Sequence, residues 1–101
     1  IIIDGDKVDV KTISCKFKPP GHYLAAINSC EIDGEHRQNA DKYIFVRIRE
    51  DCKVAWILGF IECDRFFQMS KFLNKGETYH GMKFEKANMN VLPINKLHGI
   101  L

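Results

Sequence analysis

The residues in this 101-residue chain best suited to chemistry are Asp9 and Lys11, in the run Val8-Asp9-Val10-Lys11-Thr12. Side chains two positions apart on a β-strand leave the same face, so a carboxylate and an ammonium at this spacing can converge on one point. That pairing suits phosphodiester hydrolysis. Asp9 would hold a divalent cation, Mg²⁺ or Mn²⁺, while Lys11 would orient or help deprotonate the attacking water and offset charge on the phosphorane. Asp-x-Lys is a short pattern, and a solvent-facing ion pair on an ordinary strand would read the same way.

The chemistry needs a strand with one packed face. Ile1–Asp4 reads as the end of a strand, and Gly5-Asp6 suits a two-residue hairpin turn, with Asp4-Gly5 as the alternative register. Lys7–Ile13 then alternates, with Val8 and Val10 on one face and Lys7, Asp9 and Lys11 on the other. In either register a residue before Ile1 would share the face of Asp9 and Lys11.

Pro19-Pro20-Gly21 breaks the chain into a loop, and Tyr23–Ile27 fits a short strand or a helical turn equally well. Ser29–Asp41 is polar, with a turn at Asp33-Gly34 and a short helix around Glu35–Asn39. Tyr43–Arg49 and Lys53–Glu62 are two strands joined by Glu50-Asp51-Cys52, the second apolar enough to predict a central strand buried on both faces. Asp64 would N-cap a helix over Arg65–Asn74, its apolar stripe drawn from Phe66, Met69 and Leu73, or from Phe67 with Phe72. Lys75 and Gly76 fit the end of that helix. Glu77–Glu85 reads as irregular, and Asn88–Ile94 as a last edge strand, because Pro93 cannot donate to a ladder. These elements predict a single mixed, strand-rich α/β or α+β domain.

The run from Ile1 to Thr12 resembles the signature hairpin of the PD-(D/E)XK nuclease superfamily, the restriction-endonuclease-like and Holliday-junction-resolvase-like proteins. Gln38 to Asp41, leading into Tyr43-Ile44-Phe45-Val46, is similar to small phage and bacterial members. The resemblance spans roughly residues 1–62. It implies an α/β (α+β) restriction-endonuclease-like fold, a central mixed β-sheet flanked by helices, with Mg²⁺ or Mn²⁺ as cofactor and DNA as substrate. It further implies Asp9, Lys11 and Gln38 as catalytic residues, with Asp9 and a displaced Asp4 on the metal. The residues themselves favour a turn role for Asp4 and, by a smaller margin, a helix-surface amide for Gln38. The chain departs from the family in one respect. The first acidic ligand is expected directly before Ile1, so a domain lacking its N-terminal helix is expected.

Beyond the motif strand, Lys16 and Lys18 could touch a phosphate backbone or stay solvated. The formal net charge is +2, from 15 Lys and Arg against 13 Asp and Glu, too small to announce nucleic-acid binding. Asp4, Asp6 and Asp9 lie at the start, and Lys71, Lys75, Lys83, Lys86 and Lys96 toward the end. The two regions could form a metal pocket beside a phosphate-binding rim, or two ordinary solvated surfaces. Cys15, Cys30, Cys52 and Cys63 form no CxxC pair and fit no zinc spacing, which predicts reduced thiols in a cytoplasmic, intracellular protein. The longest apolar run, Val54–Ile61, is strand-length and far short of the roughly 20 residues of a membrane span.

Three functions remain in view. One is a metal-dependent endonuclease hydrolysing DNA. Another is a non-catalytic nucleic-acid-binding or assembly module on the same fold. The third is an interaction domain whose Asn88–Ile94 edge pairs with a second copy as a homodimer.

Overall fold

Runs of β-branched and aromatic residues with period-two alternation dominate the chain, and they fold as strands. The computed structural model describes residues 1–28, 40–84 and 88–99. In chain order its elements are β1 (Ile2–Ile3), β2 (Asp6–Cys15), β3 (Leu24–Asn28), β4 (Lys42–Arg49), β5 (Ala55–Glu62), α1 (Cys63–Met69), β6 (Lys71–Leu73), β7 (Thr78–Tyr79), β8 (Met82–Lys83) and β9 (Met89–Pro93), followed by a 3-10 turn over Ile94–Lys96.

One sheet has the order β1-β2-β4-β5, a second β3-β9-β6, and β7-β8 is a separate hairpin. The first sheet is mixed: β2 is antiparallel to β1 but parallel to β4, and β4 is antiparallel to β5. The main core cluster joins the two larger sheets. Tyr43, Phe45 and Ile61 from the first meet Ala25, Ile27 and Leu92 from the second, with Phe66 of α1 among them. Phe66 lies 5.9 Å from Tyr43 and 5.8 Å from Phe45, ring centre to ring centre, within the range where aromatic pairs attract.

The expected α/β fold with flanking helices is not what forms. The described residues are mostly strand, and their one α-helix is seven residues long. The helix predicted over Arg65–Asn74 ends at Met69, where Ser70 turns extended (ψ 156°). Lys71–Leu73 instead pairs with β9, which sends Leu73 into a second core cluster with Leu24 and Val91 and leaves Phe72 exposed. The short helix expected around Glu35–Asn39 lies outside the described residues.

Two strand positions also differ from expectation. Lys53–Glu62 was expected at the centre, but β5 ends the order of its sheet, with Ile57 exposed. Asn88–Ile94 was expected at an edge, yet β9 is the middle strand between β3 and β6. Proline is tolerated there for a geometric reason. Ile94 N–H bonds Tyr23 O, so the N of Pro93, one residue back, points away from β3, and the pairing with β6 stops at Val91. Of Tyr23–Ile27, which fits a strand or a helical turn by sequence, Leu24–Ile27 lie in β3 and Tyr23 precedes it, and Glu77–Glu85 contains the β7-β8 hairpin. Among the described residues no helix is long and apolar enough to cross a membrane.

Candidate functional site

The β1-β2 turn is Asp4-Gly5, not Gly5-Asp6. Both residues have positive φ (50° and 85°), as a two-residue type I′ hairpin requires. Ile2 therefore faces Lys7, and Ile3 faces Asp6. Asp41 anchors the start of β2: its N–H donates to Lys7 O and its carboxylate accepts from Lys7 N–H, both at 2.8 Å. Lys42 pairs with Asp6 at 2.9 Å, and this hydrogen-bonded carboxylate raises the Lys42 pKa.

With β2 held in this register, Asp9 lies beside Tyr43 and Lys11 beside Phe45. Paired residues of neighbouring strands share a face, so the charged pair borders the aromatic core while Val10 on the other face is exposed. Lys11 Nζ lies 2.9 Å from Asp9 Oδ2 and 6.0 Å from the centre of the Tyr43 ring. The Lys11 and Asp9 side chains are 29% and 39% exposed, so the pair is open to ligand and adds at most about 1 kcal/mol to stability. Beneath them the Tyr43 ring is fully buried, its hydroxyl 3.4 Å from Cys63 Sγ. A cleft of about 370 Å³, lined by Ile1, Ile2, Lys7, Val8, Asp9 and Ala40, opens beside the pair.

The structure thus brings Asp9 and Lys11 together. It does not bring Asp4 to them: Asp4 is a turn residue lining a different cleft with Ile3, Val8, Lys42, Ile44 and Phe60. Gln38 lies outside the described residues. Lys16 and Lys18 are exposed in the loop after β2. Of the described lysines in the chain's last third, Lys71, Lys75, Lys83 and Lys96, none lines the cleft beside Asp9. Sequence reasoning missed Asp41 as the anchor of the motif strand and Tyr43 as the floor under Lys11. Their signal was position, since they stand where the next strand begins.

Among the described residues no three His, Cys, Asp or Glu side chains come together as a metal-binding group. Among the described residues Asp9 is the one carboxylate lining its cleft. Mg²⁺ is commonly held by one or two carboxylates, with substrate phosphates and water completing its shell. Asp9 fits that role as one ligand of an ion that the substrate helps to hold, and the cleft is not a preformed cage. No protein-family model, no curated protein and no solved structure matches this chain.

Proposed function

We propose that this chain is a metal-dependent endonuclease that hydrolyses DNA phosphodiester bonds, related to the PD-(D/E)XK nucleases through its motif hairpin. One observation carries the reading: Asp9, which lines an open cleft, meets Lys11 on one face of β2. The Lys11 ammonium is placed to orient a water and to offset charge developing on the phosphorus oxygens. Asp9 keeps that ammonium in position and would hold Mg²⁺ or Mn²⁺ together with the substrate's phosphate. Bound there, the ion would polarise the phosphate and acidify a water. Lys16 and Lys18 would contact backbone phosphates beyond the scissile one. The cysteine spacing, with no CxxC pair, fits a reducing, intracellular setting.

The test is cleavage of plasmid DNA with Mg²⁺ or Mn²⁺ by the parent and by Lys11→Ala. The parent should cut and Lys11→Ala should not, with its circular dichroism unchanged. A folded Lys11→Ala that cuts like the parent removes Lys11 from the mechanism.

A second reading, a non-catalytic DNA-binding module, draws support from the single carboxylate that the described residues bring to the cleft. It predicts salt-sensitive DNA binding, no cleavage, and no Mn²⁺ affinity lost on Asp9→Asn.

A further inference from the structure

At the Cys15 end of β2 the surface carries a group of exposed aromatic side chains that the core does not use. Phe17 is 54% exposed and Tyr23 38%. Their ring centres are 6.1 Å apart, and His22 lies 5.1 Å from Tyr23. Facing them, the tip of the β7-β8 hairpin places His80 in a cleft of about 360 Å³ shared with His22, Tyr23 and Leu24. His80 and Gly81 form a two-residue turn with positive φ at both positions (50° and 75°), so His80 adopts a backbone conformation most residues avoid. Its ring stacks on Tyr79 at 4.1 Å, and Lys71 Nζ lies 5.3 Å from the Tyr79 ring centre.

We propose that this cleft binds an unpaired nucleobase, and that the preferred substrate is therefore DNA with a single-stranded stretch. The proposal rests on the nuclease reading for the identity of the nucleic acid. Aromatic and imidazole rings give a base flat surfaces to stack on, and their phenol and ring nitrogens can bond its edge. Lys16 and Lys18 flank Phe17 in the chain, which supplies charge for the phosphates on either side of the stacked base. In a duplex the faces of the bases are already stacked, so only an unpaired base can enter. The cleft is also tied to the Asp9–Lys11 face. Arg47 stands beside Ile13, two residues on from Lys11, and donates from Nη2 to Leu24 O at 3.0 Å, holding the backbone just after Tyr23. Ile13 is about 7 Å from Lys11 along β2, so the Arg47 that holds the cleft's backbone is paired with the same strand that carries Asp9 and Lys11.

The experiment is a fluorescence titration in EDTA, where no hydrolysis occurs. The probes are a single-stranded oligonucleotide carrying 2-aminopurine and a blunt duplex carrying the same base. The parent should quench the single strand and bind it at least tenfold more tightly than the duplex. Tyr23→Ala should weaken single-strand binding about tenfold and abolish the quench, while Tyr23→Phe keeps both. Phe17→Ala, at a position outside the core, should weaken binding with the fold intact.

Equal single-strand affinity in the parent, a folded Tyr23→Ala and Phe17→Ala would overturn the proposal, and so would equal affinity for duplex. A Mg²⁺ cleavage assay run in parallel separates the two readings. Cleavage without Tyr23-dependent binding removes the base cleft alone. Tyr23-dependent binding without cleavage removes the nuclease reading and leaves the cleft. No binding to either DNA, with no cleavage, removes both.

Discussion

Asp9 lies beside Tyr43 across the parallel β2-β4 pair, so a solvent-reachable carboxylate is set next to a fully buried aromatic ring. Lys11 closes the arrangement, bonded to Asp9 and lying over the same ring. The pair is thereby held in place by the core without being part of it.

Removing the Lys11 charge should therefore affect chemistry far more than folding. Lys11→Met keeps the aliphatic stem on Tyr43 and loses only an exposed ion pair and a weak cation–π contact, each worth about 1 kcal/mol or less. Urea unfolding should show a stability change within about 1 kcal/mol, alongside loss of cleavage. A drop of more than about 3 kcal/mol would mean that Lys11 serves the fold.

Gly59 should tolerate no side chain. It lies in β5 with φ 147°, close to the irregularity in pairing at Phe45/Val46. A Cβ there would sit 2.5 Å from His98 O and 2.9 Å from Leu97 Cβ. Backbone bonds between Phe60 and His98, 2.9 Å in both directions, fix the C-terminal segment against this strand. Gly59→Ala should lose about 2–4 kcal/mol from backbone strain and overlap together. Thermal unfolding at the parent's Tm would contradict this.

Arg47 is a buried cation with an incomplete set of partners. It is 7% exposed, its Nη2 reaches Leu24 O, and its Nη1 has no hydrogen-bond partner. Burial lowers its pKa. Arg47→Met retains the packing of the stem and removes the unsatisfied group while freeing one carbonyl. These effects oppose each other, so the stability change should stay under about 1.5 kcal/mol. Arg47→Ala leaves a void as well and should lose about 2–4 kcal/mol. Equal losses in the two variants by denaturant titration would show that the guanidinium, rather than the stem, is what the fold needs.

The turn between β4 and β5 should weaken in acid. Arg49 and the Lys53 N–H both bond the Asp51 carboxylate and hold its pKa below the usual 3.8. A depressed carboxyl contributes stability above its unfolded pKa and loses it as pH falls through the folded value. The stability gap between the parent and Asp51→Asn should be constant from pH 7 to about 5 and close below about pH 4. A gap that persists unchanged at pH 2 would rule out this carboxylate as its source.

Much of the local structure could be read from residue order. The alternation Lys7-Val8-Asp9-Val10-Lys11 put Asp9 and Lys11 on one face of a strand, and they share it. The two runs around Glu50-Asp51-Cys52 became the antiparallel pair β4 and β5. Both follow from the period of two in an extended chain, which any strand obeys wherever it later packs. Tertiary structure decided the rest. Periodicity tells which residues share a face but not which face meets the core, and it was the Asp9–Lys11 face, with Val10 outward, that joined Tyr43 and Phe45. The aromatic and leucine residues after Asp64 fit a helix or a strand equally. Leu73 was claimed by Leu24 and Val91, so the helix stopped at Met69 and a strand followed. β9 is a central strand that tolerates Pro93 because its register turns the N of Pro93 away from β3. Each of these outcomes depends on partners 18 or more positions away in the chain, and local pattern carries no information about them.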